Sequence, residues 1–201
     1  IDVARTLYPA IRPAQNVLDV GLNNGNPIAH PAPALLNAGR VEYSQGEFYL
    51  YKEGITPHVA QVMVQLDRER MSLCQRLGYQ AMSTPERMYR MGYGITTESL
   101  YKAYTTSPVF CGEYPIKGPS SVNDRYYIED TLYGLVTWSS LGAAIGVPTP
   151  AIDSVICLIS SLHGKDYFQL GPRSMEKLGL SNMTLEELNA YLYHGAAKRS
   201  P

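Results

Sequence analysis

Cysteine is scarce in this sequence, and the three that occur are far apart. Cys74, Cys111 and Cys157 are odd in number and are not placed among histidines at the spacings of metal ligands. This pattern argues against a disulfide framework and against a zinc site. We therefore predict a protein of a reducing, cytoplasmic compartment that binds no metal.

Clustered positive charge is also missing. The 17 lysines and arginines are scattered, and 18 acidic residues bring the formal net charge to -1. Because binding to a phosphate backbone requires a basic patch, nucleic acid is not an expected partner. Neither G-x-G-x-x-G nor G-x-x-x-x-G-K-[ST] occurs in the sequence. We therefore predict no cofactor-binding residue in this chain.

Long uninterrupted apolar segments are rare as well. Residues 131–152 carry no charge over roughly the ~20 residues that a bilayer requires, but glycine and proline interrupt them repeatedly. We predict a buried core helix there and no membrane span. The N-terminus lacks a basic region followed by an apolar run, so we predict no signal peptide. We interpret the chain as part of a longer protein.

Helical periodicity dominates the rest of the sequence. The segment from Thr56 to Gly78 has apolar positions at three- and four-residue spacing, with Thr56 as its N-cap and Pro57 at its first helical position. Gly78 marks the end of this helix, because glycine is the usual residue just past a helix end. Arg70 lies on or near the apolar face of this helix, so we predict that a carboxylate partner accompanies it.

Other helices are predicted over residues 84–91, 98–104, 148–162 and 184–193, and across the charge-free run as far as residue 145. The helix over residues 184–193 begins with Thr184 and Glu187 at the spacing of a capping box. Only Val41–Tyr51 alternates like a strand, and it predicts a hairpin around Gln45-Gly46. We predict an all-α fold.

One histidine of four, His30, has an unusual setting. Prolines at 27, 31 and 33 surround it, and an interior proline costs a helix about 3 kcal/mol. The backbone must therefore bend there, or a new helix must start near Pro31. If the preceding residues are helical, Asn26 and His30 share one face. Residue context alone favours a capping or core histidine.

A second unusual cluster, Asn123–Asp130, is charged and aromatic and precedes the charge-free run. Asp130 is either a partner of the helix dipole or a positioned functional group, and context alone favours the first. Arg125 is five residues earlier, or about 500° of helix rotation. Both can face one site only if Arg125 lies on the segment that leads into the helix.

Tyrosine is the abundant aromatic residue, with 16 copies against three phenylalanines and one tryptophan. Tyrosine combines an apolar ring with a polar hydroxyl. Its abundance suggests a wet, concave surface lined by hydroxyl-tipped rings.

Several stretches form a pattern through their order and spacing: residues 16–24, 26–40, 53–57, 67–70, 125–135, 146–153 and 176–180. This pattern resembles the octopine/nopaline dehydrogenases, or opine dehydrogenases, over nearly the whole chain. It departs from them at Leu132, where we expect proline.

The resemblance implies a two-domain oxidoreductase that reductively condenses an amino acid with a 2-oxo acid, acting on a CH-NH bond. An N-terminal Rossmann domain, absent from this chain, would bind NAD or NADP. Residues 1–201 would form the helical substrate-binding domain, a bundle similar to the C-terminal domain of 6-phosphogluconate dehydrogenase. The two substrates would lie in the cleft between these domains, and the isolated chain is expected to be inactive.

The resemblance also implies roles for individual residues. His30 matches the catalytic histidine and Asp130 its carboxylate partner, while Asn26 and Arg125 match substrate-binding residues. These residue types suit the chemistry, because histidine exchanges protons near neutral pH and a carboxylate fixes its tautomer. An arginine fork binds a substrate carboxylate through two hydrogen bonds.

Two alternatives remain open at the level of sequence. The same His/Asp pair could serve a dehydrogenase that reduces a 2-oxo acid to a 2-hydroxy acid. The chain could also be a helical dimerisation module without catalysis. The resemblance is compatible with a homo-oligomer and does not specify which amino acid or which oxo acid is used.

Overall fold

The computed structural model of this protein describes residues 1–195, which fold into helices without a β-strand. This confirms the predicted all-α class. The α-helices of this part are α1 (Asp2–Leu7), α2 (Val17–Leu22), α3 (Asn26–Ala29), α4 (Pro31–Leu36), α5 (Ala38–Ser44), α6 (Pro57–Arg76), α7 (Thr84–Arg90), α8 (Leu100–Thr105), α9 (Pro108–Cys111), α10 (Arg125–Asp130), α11 (Val136–Ile145), α12 (Pro150–His163), α13 (Tyr167–Leu170) and α14 (Leu185–His194). Two π-helical turns, Leu50–Gly54 and Thr131–Leu135, complete the helical elements.

The long helix α6 forms the centre of the domain. Its predicted N-cap is confirmed, since the Thr56 hydroxyl accepts a hydrogen bond from the backbone N–H of Val59. Met63, Leu66 and Leu73 on its apolar face are fully buried. Side chains of this size each contribute about 1.5–3 kcal/mol when they are removed from water. Helices α2, α4, α8, α11 and α12 all pack against α6.

Arg70 is fully buried on α6, and its predicted carboxylate partner is Asp67, 2.8 Å away. The guanidinium also donates to the carbonyl oxygens of Leu22 and Met82. Asp67 in turn accepts from the backbone N–H and the hydroxyl of Thr84. The pair therefore fastens the end of α2 and the start of α7 to the central helix.

The predicted strand over Val41–Tyr51 is wrong. Its first part belongs to α5, and the chain reverses at Gln45 and Gly46, which have φ values of 51° and 90°. The turn was placed correctly, but the residues that follow it have no partner strand within residues 1–195. Phe48 and Leu50 are instead buried in the helical core. Short apolar segments fit either environment, so their pattern does not distinguish them.

The charge-free run lies in the core as predicted. It begins with the π-helical turn Thr131–Leu135 and continues as α11, which ends at Gly146 with φ 73°. The next helix, α12, begins at Pro150, where the Glu69 carboxylate accepts hydrogen bonds from the backbone N–H groups of Ala151 and Ile152.

Among residues 1–195, no helix is both long and apolar enough to cross a membrane.

The remaining predicted helices are also present, with ends shifted by one or two residues. The predicted capping box of α14 is formed, since Thr184 and Glu187 each accept the other's backbone N–H. At the end of α12, His163 is held between the Tyr167 hydroxyl and the Val122 carbonyl, so it has a structural role.

Candidate active site

His30 lies at the junction of two short helices. It follows α3, which begins at Asn26, and it precedes Pro31, the first residue of α4. A proline at the start of a helix removes an N–H that has no partner there in any case. The prediction that a new helix starts near Pro31 is therefore confirmed. The backbone N–H of His30 donates to the Asn26 carbonyl, and the side chain is buried.

Asp130 lies next to His30 in the fold, although it is 100 residues later in the sequence. It is the last residue of α10, and its Oδ2 atom lies 2.7 Å from Nδ1 of the histidine. Both side chains are more than 90% buried. The carboxylate accepts the Nδ1 hydrogen, which leaves Nε2 as the acceptor of the neutral ring. The two residues that the resemblance paired are therefore in direct contact.

Tyr51 completes a three-residue line and was missed by sequence reasoning. Its hydroxyl lies 2.8 Å from Nε2 of His30 and donates to it in the neutral state of the ring. Burial, and then the neighbouring rings of Tyr126 and Tyr104, raise the pKa of Tyr51 above the ordinary value of 10.0. The phenol thus keeps its proton. The only sequence signal that pointed to a tyrosine in the site was the large number of tyrosines in the chain.

Other aromatic rings surround this line. The Tyr126 ring lies 4.3 Å from the ring of His30, centroid to centroid. Tyr51 stacks on Phe110 at 4.5 Å and on Tyr104 at 5.8 Å. The rings fix the orientation of both the imidazole and the phenol. They come from elements far apart in sequence, which the tertiary fold brings together.

Two cavities flank the site. The first, of about 530 Å³, is polar and is lined by Asn24, Asn26, Glu129, Asp130, Tyr133, Gly134 and Arg173. The second, of about 500 Å³, is lined by Asn23, Asn24, Gly25, Asn26, Ala29, Tyr51, Arg87, Met88, Met91, Tyr93, Tyr104, Val109 and Phe110. Asp130 thus borders one cavity and Tyr51 the other. The tyrosines of the second cavity agree with the predicted concave surface.

Asn26 and Arg125, the two predicted substrate-binding residues, differ in their placement. Asn26 lines both cavities. Arg125 is the first residue of α10, and its side chain is 59% exposed, paired with Glu129 at 3.6 Å and lying over the Tyr126 ring. It is not part of either cavity wall. The structure therefore brings three of the four predicted residues together and leaves Arg125 outside both cavity walls.

No metal centre accompanies this arrangement within the described residues. Residues 1–195 contain no cluster of three or more histidine, cysteine, aspartate or glutamate side chains that could hold a metal ion. The three cysteines are free thiols.

Comparison with known families gives the site its context. Residues 13–163 match the sequence profile described as "NAD/NADP octopine/nopaline dehydrogenase, alpha-helical domain". The chain belongs to the octopine/nopaline dehydrogenase family. A relative within this group, the opine dehydrogenase of Arthrobacter sp. (strain 1C), is 41% identical over 179 residues, which cover 89% of this chain and 48% of the relative.

More distant members of the family match over the same region. Protein ocs of Agrobacterium tumefaciens (strain Ach5) is 28% identical over 88% of this chain and 46% of its own length. The helical fold agrees with two structures of octopine dehydrogenase, one with NADH and L-arginine and one with NADH and agmatine. Their TM-scores are both 0.69 at 18% and 19% identity, covering all of this chain and 55% of each structure. The chain thus spans about half the length of the octopine/nopaline dehydrogenases that it matches.

Proposed function

We propose that this chain is the substrate-binding and acid–base half of an NAD(P)H-dependent opine dehydrogenase. In the full-length protein an N-terminal Rossmann domain would precede it and bind the nicotinamide cofactor. The observation that carries the proposal is the buried line from Asp130 through His30 to Tyr51, with a cavity at each end. The half-length match to the relatives supports a second domain.

The reaction would join an amino acid to a 2-oxo acid in three steps. The amino acid, an ammonium in water, first gives up one proton, and its amine attacks the carbonyl carbon while a proton moves from nitrogen to oxygen to give a carbinolamine. Protonation of the carbinolamine hydroxyl then expels water and leaves an iminium, which a hydride reduces to a secondary amine. Deprotonation of the ammonium releases one proton, and loss of water consumes one. One group that first takes and then gives a proton can serve both steps.

His30 has the contacts for this role. In its neutral form Nδ1–H donates to Asp130, and Nε2 can take the proton that the substrate ammonium releases. The buried carboxylate then stabilises the imidazolium. Return of that proton to the carbinolamine hydroxyl lets water leave and restores the neutral ring, so the protons balance over the cycle.

Tyr51 stands between His30 and the second cavity. Its hydroxyl forms a hydrogen bond with Nε2 of His30, and Tyr51 is part of the wall of the second cavity. His30 itself contributes to neither cavity wall. We therefore assign Tyr51 as the relay that passes each proton between substrate and imidazole. Because the pKa of the phenol is raised, the relay accepts one proton as it releases another and does not become a phenolate.

The polar first cavity fits the nicotinamide end of the cofactor better than its phosphates. Two amides, a tyrosine and two carboxylates line it together with one arginine, Arg173, so it offers a phosphate one cation against two anions. The sequence also has no glycine-rich phosphate loop. Asn24 and Tyr133 would border the nicotinamide there. When bound, the cofactor supplies the hydride. Asn26, which lines both cavities, would orient the substrates, and Arg125, on the helix that ends at Asp130, would bind a substrate carboxylate.

The cellular setting that we propose is the cytoplasm, where free thiols such as Cys74, Cys111 and Cys157 stay reduced.

The test uses the full-length two-domain protein. Oxidation of NADH or NADPH is followed with pyruvate alone and with pyruvate plus each of the common amino acids. Consumption that requires the amino acid, with a secondary-amine product seen by mass spectrometry, supports the proposal. Consumption with pyruvate alone identifies a 2-hydroxy-acid dehydrogenase instead, and no consumption with any 2-oxo acid points to a non-catalytic module.

A histidine substitution then tests the residue assignment. His30→Asn should lower kcat about 100- to 10,000-fold, the usual contribution of a general acid–base group. His58→Asn is the matched control, because His58 is exposed on the first turn of α6. Equal activity of the two variants would refute the role of His30.

A further inference from the structure

Arg87 is a buried arginine without a carboxylate partner. It is 9% exposed, its Nη1 donates to the Asn23 carbonyl, and its Nε has no hydrogen-bond partner among residues 1–195. It belongs to none of the ion pairs in that part of the chain. Burial lowers its pKa. Because an unpaired buried cation is costly, another group is expected to complete its surroundings.

Asp67, the carboxylate whose charge acts on Arg87, cannot serve both buried arginines. Asp67 is bound to Arg70 and accepts two further hydrogen bonds from Thr84. Arg70 is therefore satisfied within the fold, with an ion pair and carbonyl acceptors. The contrast between the two arginines shows that Arg87 is not needed to neutralise an acidic residue of the core.

The Arg87 guanidinium forms part of the wall of the second cavity. It lies against Gly25, where an added Cβ atom would be 2.6 Å from Nη2. The absence of a side chain at this glycine lets the guanidinium approach the backbone of the loop before α3. The loop continues into Asn26, which lies one helical turn before His30. Arg87 and the acid–base line thus share one cavity.

The rest of that cavity is largely uncharged. Within residues 1–195 its wall contains no aspartate, glutamate or lysine. Amides and the backbone of the 23–26 loop line the cavity beside Arg87. Apolar and aromatic side chains line much of the remainder, among them Met88, Met91, Tyr93, Val109 and Phe110. A ligand that matches this wall has one anionic group and an apolar remainder.

We propose that the second cavity binds the amino acid substrate, with its carboxylate on Arg87 and a neutral, apolar side chain against the methionine and aromatic wall. This rests on the proposed function and adds the class of amino acid. A cationic side chain would have to lie beside Arg87 without a counter-charge. An acidic side chain would bring a second carboxylate to a wall that offers one cation.

Substrate preference is the first test, made with the full-length protein and pyruvate. L-Methionine, L-leucine and L-phenylalanine should have values of kcat/KM at least about 100-fold above that of L-arginine, since the guanidinium of L-arginine would lie beside Arg87 without a counter-charge. L-Glutamate should also be a poor substrate. A preference for L-arginine or L-glutamate would overturn the proposal.

Substitutions then test Arg87 itself. Arg87→Met should raise KM for L-methionine about 30-fold or more, and Arg87→Lys should raise it less, because the charge is kept. The matched control is Arg90→Met on the same helix, where the side chain is half exposed and pairs with Glu86. The melting temperature of each variant separates a folding defect from a binding defect.

A charge placed beside Arg87 gives a test that removes no buried group. Met91 lies one turn after Arg87 and is 58% exposed, so Met91→Glu can neutralise the guanidinium without emptying the core. It should raise KM for L-methionine, and Met91→Gln should raise it less. An unchanged KM in both Arg87→Met and Met91→Glu, with normal melting temperatures, would overturn the proposal.

Direct binding distinguishes this proposal from the proposed function. L-Methionine is titrated into the full-length protein by calorimetry, with wild type and Arg87→Met compared. Arg87-dependent binding in a protein that oxidises no NADH or NADPH would support the site while refuting the dehydrogenase. Dehydrogenase activity with binding that does not depend on Arg87 would refute the site alone.

Discussion

The Nδ1 atom of His30 lies 2.7 Å from Oδ2 of Asp130, although the two residues are 100 positions apart in sequence. The contact joins the α3–α4 junction to the end of α10. It also selects the tautomer in which Nε2 carries no hydrogen and can accept one from the Tyr51 hydroxyl. The order of the three groups defines the path along which a proton can pass, in either direction, between the imidazole and the second cavity.

Asp130→Asn should retain the fold and lose most of the activity. The amide can donate to Nδ1 and so favour the tautomer with hydrogen on Nε2, which is the wrong state for accepting a proton. We expect kcat in the full-length protein to fall about 100- to 10,000-fold. Steady-state kinetics beside a thermal melt measure this. Unchanged kcat would show that the carboxylate does not orient the imidazole.

Tyr51→Phe removes the relay hydroxyl and keeps the stacked ring. We expect kcat to fall about 10- to 100-fold with a smaller change in KM, because the proton must then pass through water or directly from His30. Tyr43→Phe is the matched control, since Tyr43 is 88% exposed. A kcat equal to that of the control would assign Tyr51 a packing role only.

Gly134→Ala should disturb the packing between the two halves of the site. An added Cβ would lie 2.4 Å from Cγ of Pro27, which is part of the helix before His30. Overpacking of this kind costs about 1–3 kcal/mol of the free energy of unfolding. Gly21→Ala, with open space around the new methyl group, is the control. Urea denaturation compares the two, and equal stability would contradict the close contact.

Stability should fall at high pH because five tyrosines among residues 1–195 are buried. Burial raises the pKa values of Tyr51, Tyr79, Tyr104, Tyr127 and Tyr167 above the ordinary 10.0. Above pH 10 the unfolded chain loses these protons before the folded one does, so the unfolded state gains stability. The contribution is complete below pH 10 and is lost as the pH rises towards the folded values.

The measurement is the free energy of unfolding in urea at a series of pH values between 8 and about 11.5. Each such tyrosine contributes a slope of at most about 1.4 kcal/mol per pH unit above its unfolded pKa. Tyr127→Phe should make the slope smaller. This side chain donates to the Ala34 carbonyl and lies outside both cavity walls. A flat profile would contradict the raised pKa values.

Local signals predicted much of the fold, because helix caps and apolar periodicity act within a few residues. The Thr56 N-cap, the capping box at Thr184 and the helix start at Pro31 are all present. The buried partner of Arg70 was also predictable, since a charge on an apolar face requires compensation. The strand over Val41–Tyr51 was wrong because burial of Phe48 and Leu50 depends on helices elsewhere in the chain.

The amino-acid sequence by itself determined the helical class, most helix starts and the family, since each depends on local propensity or on the order of motifs. It named His30 and Asp130 only through resemblance. The tertiary structure decided that these two residues touch, that Tyr51 covers Nε2, and that Arg87 lies in a cavity without a counter-ion. Those relationships depend on distances between segments far apart in the chain, which no local pattern encodes.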